Sequence, residues 1–257
     1  MSRNFNGTSQ YGSVTAGSAP IAGLPFTMMC WFRPTIPVNS PGVWLFTIRL
    51  NNSVPDGLFA LTIDFATGVF QTAINDFGSA IYAFKQVGSA LVANTWYCGV
   101  FVSPFSGVRT SYIGTPSGVT SITDNRATTP GTGNVQINIA TFDLTAPFYG
   151  GLIGEAAAWN IDLSDAEVRA LCAGIRPYRV RLGNLKIYYP LWGLASPEPD
   201  YSGLKNNVTL TASPPLGNNP PLTLWTPKRS SAFVLPSVVV PPPSAGLGIS
   251  GLASAEW

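Results

Sequence analysis

The stretch FTMMCWFRP, Phe26 to Pro34, sets the narrowest limit on what this chain can fold into. Successive side chains of a strand point to opposite faces, so Phe26, Met28, Cys30 and Phe32 share one face and Thr27, Met29, Trp31 and Arg33 the other. Both faces are mainly apolar. Such a strand must be covered on both sides, as in two packed sheets. Trp31, together with Trp96, Phe101 and Ile153 from later runs, is therefore expected between two antiparallel sheets.

Further strand-like runs follow at Val43–Leu50, Gly57–Phe65, Gly68–Ile74, Ala80–Val87, Thr95–Ser103, Arg109–Thr115 and Asn134–Phe142. Turn residues separate them, among them Asn51-Asn52, Pro55-Asp56-Gly57 and the Pro-Phe-Ser-Gly of a hairpin before Arg109. In the last run Val135, Ile137 and Ile139 oppose Gln136 and Asn138, which predicts a strand with one polar face. Thr115 to Gly133, rich in Ser, Thr, Gly and Asp, reads as the longest loop.

One helix is expected, at LSDAEVRALCAG. Ser164 is a good N-cap, Glu167 completes a capping box and Asp165 suits the positive end of the helix dipole. Val168, Leu171 and Cys172 form its apolar stripe and Gly174 supplies the stop. The segment Pro190 to Pro215 then reads as strand, structured loop and strand, with Asp200 able to cap the backbone of Ser202 and Gly203 in an Asx-type turn.

Only 10% of the residues are charged, against about 25% in an ordinary soluble domain, and 46% are apolar. That balance suits a protein that works packed against neighbours. Lys and Arg form no stripe interleaved with aromatics, so nucleic acid is not an expected partner. Cys30, Cys98 and Cys172 are isolated in apolar runs, which predicts buried thiols rather than a disulfide scaffold or zinc site. With no apolar leader after MSRNFNG and no apolar run of about 18 residues, the expectation is synthesis in the cytoplasm, no signal peptide and no membrane partner.

The composition changes after Trp225. Prolines make a central strand improbable there, yet Phe233, Val234, Leu235, Val238, Val239 and Val240 are too apolar for a solvated tail. With Pro241, Pro242 and Pro243 as a stiff spacer and Trp257 as an anchor, residues 228–257 read as an extended docking arm beyond a domain at 1–227.

The segments RNFNGTSQYGSV, PFTMMCWFRPT, TWYCGVFVSPFSGVRTSYIGT and FYGGLIGEAAAWNIDLSDAEVRALCAG resemble, in order, signature segments of the concanavalin A-like lectin/glucanase superfamily. The pattern is nearest to laminin-G-like jelly rolls, and YYPLWG…DYSGLKNNVTLTA follows the opening motif as in short bacteriophage and prophage proteins. The resemblance covers roughly residues 3 to 225. It implies an all-β, antiparallel two-sheet jelly-roll sandwich with one short helix, the segment at 190–215 closing the same sandwich.

Glucanases of this superfamily carry paired carboxylates on one strand. This chain has four glutamates, Glu155, Glu167, Glu198 and Glu256, and no strand holds two carboxylates. Histidine is absent, so Ser-His and Cys-His nucleophiles are excluded and no catalytic residue is assigned. The resemblance places an acidic calcium position at Asp200, with Glu155 a second candidate, and Glu198, Ser202, Asn206 and Asn207 lie close in sequence. No cofactor is expected; calcium near Asp200 and the Asx turn remain open alternatives.

On these grounds the chain reads as a non-enzymatic structural or interaction protein of a virus particle, a capsid decoration or cement protein or a tail accessory, partnered by other virion proteins. The alternative is a lectin-like module for a surface glycan. Against that alternative, Trp44, Trp159, Trp192 and Trp225 all lie in apolar contexts that suggest core packing.

Overall fold

The computed structural model describes residues 1–16, 20–21, 23–35, 43–49, 57–75, 82–104, 107–115, 117–125, 135–145, 147–193 and 196–223. Fifteen strands, one α-helix and two short 3₁₀ turns make up its regular structure. In chain order the strands are β1 (Ser2–Asn6), β2 (Tyr11–Ala16), β3 (Phe26–Pro34), β4 (Val43–Arg49), β5 (Leu58–Ile63), β6 (Val69–Asn75), β7 (Tyr82–Ala90) and β8 (Tyr97–Ser103). They continue with β9 (Val108–Thr115), β10 (Gly118–Asn125), β11 (Val135–Ile139) and β12 (Gly150–Trp159). After helix α1 (Asp165–Cys172) come β13 (Leu185–Tyr189), β14 (Thr209–Thr211) and β15 (Leu216–Gly217).

All pairings are antiparallel. The first sheet runs β10-β9-β8-β3-β12-β1-β15, with β13 also on β12; the second runs β14-β2-β11-β4-β5-β6-β7. Between them lies the main core, built from one alternation of each strand: Phe26, Met28, Cys30 and Phe32 of β3 meet Phe46, Ile48, Phe59, Leu61 and Phe70 of the facing sheet. A buried hydrogen bond of 2.7 Å between the hydroxyls of Thr72 and Ser111 joins the two sheets through this core. The sandwich follows the expected plan, and the segment at 190–215 does close it: β14 joins the second sheet at β2, and Glu198 bridges to Val208.

The other face of β3 is covered differently from the expectation. Met29, Trp31, Cys98, Val100 and Trp159 form a second cluster on the outer face of the first sheet, roofed by Val168, Leu171 and Cys172 of α1. Phe101 and Ile153 lie between the sheets as expected, whereas Trp31 is buried beneath the helix and Trp96 is only partly buried at the edge of that cluster. A period of two assigns a residue to a face but does not say what covers the face. The helix itself forms as its sequence dictates: the Ser164 hydroxyl accepts from the Glu167 amide and the Glu167 carboxylate accepts from the Ser164 amide.

Two further expectations are corrected. Gly118–Asn125, placed in a long loop, is a strand paired over its whole length with β9. Its Ser/Thr content reflects exposure, with six of the eight residues open to solvent. Asn138, placed on a polar face, is fully buried, because residues after β11 fold over the outer face of the second sheet. All three cysteines are buried and free.

Candidate functional site

The outer face of the second sheet carries a built arrangement of rings and polar side chains. Register sets it out in rows across the strands. One row reads Gln136, Arg49, Leu58, Asn75 and Tyr82; the next reads Asn138, Thr47, Ala60, Ala73 and Phe84; a third reads Trp44, Thr62, Gln71 and Gln86. Small residues hold the middle of the sheet and large ones its flank. Leu58, Ala60 and Ala73 form a buried floor against which Trp44, Tyr82 and Phe142 pack.

The rings touch one another. Trp44 lies 4.6 Å from Phe142, 6.3 Å from Phe84 and 6.4 Å from Tyr82, and Tyr82 lies 6.2 Å from Phe84, centroid to centroid. Phe84 is 46% exposed, a large apolar ring open to solvent beside half-buried Trp44 and Tyr82. The Arg49 guanidinium sits 5.1 Å over the Phe142 ring and donates to the Gln136 amide oxygen at 3.1 Å. Asn138 donates to the Phe142 carbonyl, fixing that ring over the floor, while its own amide oxygen is buried without a hydrogen-bond partner among the described residues. Trp44, expected in the core, is thus on the outer face. The missed residues Tyr82, Phe84 and Phe142 left one signal, the alternation of two aromatics in Tyr-Ala-Phe-Lys-Gln.

A second arrangement surrounds Glu155. On one side of β12, β1 pairs with residues 150–153 and β13 with residues 156–159, with a bulge between. Glu155 occupies that bulge at φ 53°, a left-handed conformation that is strained for a side chain of its size. Its carboxylate is buried and accepts from the Tyr188 hydroxyl at 2.6 Å. Burial holds the Glu155 carboxyl above the usual carboxylate range, against the opposing pull of the Tyr188 hydrogen bond and the Arg176 charge. Arg176 lies 5.0 Å over the Trp192 ring, and Trp192 in turn meets Tyr201 at 6.1 Å. Trp192 is therefore half-buried beside Arg176 rather than in the core, whereas Trp159 is fully buried as expected.

Asp200 is used by its own loop. Its Oδ1 accepts from the amides of Tyr188 and Ser202, and its Oδ2 from the Ser202 hydroxyl and the Asn206 amide, all between 2.9 and 3.2 Å. Glu198 is paired with Arg3 at 2.5 Å and accepts from the Gly193 amide. No group of three or more Cys, Asp or Glu side chains is placed to hold a metal among the described residues. The sequence-predicted docking residues Phe233, Val234, Leu235, Val238, Val239, Val240, Pro241, Pro242, Pro243 and Trp257 lie outside the described residues, as does Trp225.

Residues 6–169, more than half of the chain, match a laminin G family model described as the concanavalin A-like lectin/glucanases superfamily. The chain belongs to that superfamily. No curated protein sequence matches it. Among solved structures, the superfamily fold is shared with a Bacteroides ovatus protein described as a candidate carbohydrate binder (TM-score 0.59, 14% identity, 81% of this chain and 57% of that one). It is shared with the CBM40 of a Ruminococcus gnavus sialidase bound to sialyllactose (TM-score 0.52, 11% identity, 66% and 95%). A tailspike protein of an Escherichia coli bacteriophage is also similar (TM-score 0.51, 15% identity, 70% of this chain and 25% of that one). At these identities the likeness establishes the concanavalin A-like fold, and function is argued from the site. No helix among the described residues is long and apolar enough to cross a membrane.

Proposed function

We propose that this concanavalin A-like domain is a non-catalytic carbohydrate-binding module that recognises a surface glycan on the outer face of its second sheet. The observation that carries the reading is the gathering of Trp44, Tyr82, Phe84 and Phe142 there, with Phe84 exposed and the exposed Gln86 and half-buried Gln136 in adjoining rows. A sugar ring offers an apolar C–H face to an aromatic ring and hydroxyls to amide groups, and this surface presents the exposed Phe84 ring and the exposed Gln86 amide within one patch. The carbohydrate-binding descriptions of two structural neighbours support the same reading.

Glycan-array screening followed by calorimetry on the preferred glycan tests it. Wild type should bind; Trp44→Ala and Phe84→Ala should weaken binding at least tenfold, about 1.4 kcal/mol, while keeping the wild-type circular dichroism spectrum. Tyr201→Ala, on the separate ring cluster near Trp192, should bind as wild type. A wild type that captures no glycan, or ring variants that bind normally, would overturn the proposal.

A virion role is the second reading, favoured by the 10% charged content and the apolar, proline-rich sequence of residues 228–257. In that reading the glycan module rides on a particle and the arm docks it to other virion proteins. A chain ending at Pro227 should then fold and bind glycan yet fail to join the particle; normal incorporation would remove this reading alone.

A further inference from the structure

We propose that Cys98 and Cys172 are a redox latch: in an oxidising medium they join in a disulfide that ties helix α1 to β8 and fixes the roof over Trp31. The latch is independent of glycan binding, which belongs to the other sheet.

The two thiols come from elements 74 positions apart in the chain, Cys98 from β8 and Cys172 from the last turn of α1. They meet because of Gly114. Gly114 pairs with Cys98 across β8 and β9, and its missing side chain leaves the hollow that Cys172 enters from the helix. A Cβ at Gly114 would lie 2.7 Å from the Cys172 Cβ, 2.9 Å from its Sγ and 3.2 Å from the Cys98 Cβ. A disulfide needs Cβ atoms about 3.5–4.5 Å apart, a separation open to two atoms so close to one common point. The Cys172 thiol already donates to the Cys98 carbonyl at 4.0 Å. Burial, and then a hydrogen bond with the Cys172 side chain, hold the Cys98 thiol well above its ordinary range. Cys30 stands apart from this pair, in the core between the sheets, whereas Cys98 and Cys172 share the cluster under the helix.

A brace has an effect at this place. An eight-residue helix is marginal by itself, and three buried side chains, Val168, Leu171 and Cys172, hold α1 to the sheet. Closing so long a loop also removes freedom from the unfolded chain, which favours the folded one.

The chemistry is thiol–disulfide exchange with a small disulfide such as oxidised glutathione. Cys172 lines a surface cleft of about 430 Å³ that gives the oxidant its approach, while Cys98 is fully buried. The Cys172 thiolate attacks one sulfur of the oxidant, forming a mixed disulfide and expelling the first glutathione. Cys98 then gives up its proton and displaces the second glutathione from Cys172. Two protein thiols become one disulfide, two electrons pass to the oxidant, and two glutathione thiols carry the two protons away. The raised Cys98 thiol makes the second step the slow one, so its rate should climb with pH.

Thiol counting on the denatured full chain, before and after native incubation with oxidised glutathione, tests the latch. The count should fall from three to one, and peptide mapping should find Cys98 linked to Cys172 within one chain. The melting temperature should rise by about 5–15 °C and return on reduction. Cys98→Ala should instead keep one glutathione on Cys172 and show no such rise. Refolding from urea in the same mixture removes any barrier of access. Three thiols after both routes, or a link that uses Cys30 or joins two chains, would overturn the proposal. So would a Cys98–Cys172 link that leaves the melting temperature unchanged, since α1 would then gain nothing from it.

Discussion

Glu155 accepts a 2.6 Å hydrogen bond from Tyr188, and both side chains are buried at the point where β12 changes partner from β1 to β13. Burial raises the Glu155 pKa, so the native state keeps this proton to higher pH than the unfolded chain. Between the unfolded value of about 4.3 and the raised native value, the native state holds more protons, and stability must fall as pH rises. Glu155→Gln removes that titration and keeps an oxygen for Tyr188. Denaturant unfolding from pH 4 to pH 8 should show the wild type losing stability relative to the variant as pH increases. Parallel curves would mean that Glu155 titrates in the folded chain as it does unfolded.

Phe101 and Trp96 separate the inter-sheet core from its margin. Phe101 is fully buried, edge-on to Phe26 at 5.3 Å, and Phe101→Ala should cost about 3–5 kcal/mol. Trp96 is half-buried against the cluster under the helix, and Trp96→Ala should cost less than about 2 kcal/mol. Equal losses in urea titrations would contradict this placement of the two rings.

Catalytic silence is expected against β-glucans. Glycoside hydrolysis needs two carboxyl groups facing across the bond, about 5 Å apart in a retaining enzyme. Glu155 is committed to Tyr188, Glu198 to Arg3, and Glu167 to the helix cap and to Arg181 at 2.5 Å. A reducing-sugar assay should read as buffer for wild type and for Glu155→Gln. Turnover that disappears in the variant would show that the buried carboxyl reaches substrate.

The elements with strong local signals were legible in the sequence. Phe26–Pro34 had to be covered on both faces, and Ser164 with Glu167 announced the helix. What the sequence hid depends on long-range cover. Phe32 and Trp31 are adjacent and equally apolar, yet one meets Phe70 of the facing sheet while the other lies under α1. Strand β10 was missed because an edge strand exposed on both faces has no apolar alternation to read. The ring-bearing face escaped for a related reason: Trp44 and Phe84 are 40 positions apart, and only the pairing of β4 to β7 through β5 and β6 brings them together.

Gly99 and Phe70 offer the sharpest test of how the sheets interlock. Gly99 lies on β8 in the first sheet and Phe70 on β6 in the second. A Cβ at Gly99 would meet the Phe70 ring at 2.6 Å, well inside van der Waals contact, and Phe32 at 3.3 Å. The missing side chain is therefore the hollow into which Phe70 inserts. Gly99→Ala should overpack the core by about 1–3 kcal/mol, and Phe70→Leu should leave a cavity of similar cost. The two defects are complementary, since the added methyl occupies space the smaller side chain vacates. In the double variant the losses should fall short of additivity by about 0.5–3 kcal/mol. Strict additivity would show that these residues do not share one space, and the inter-sheet packing described here would have to be redrawn.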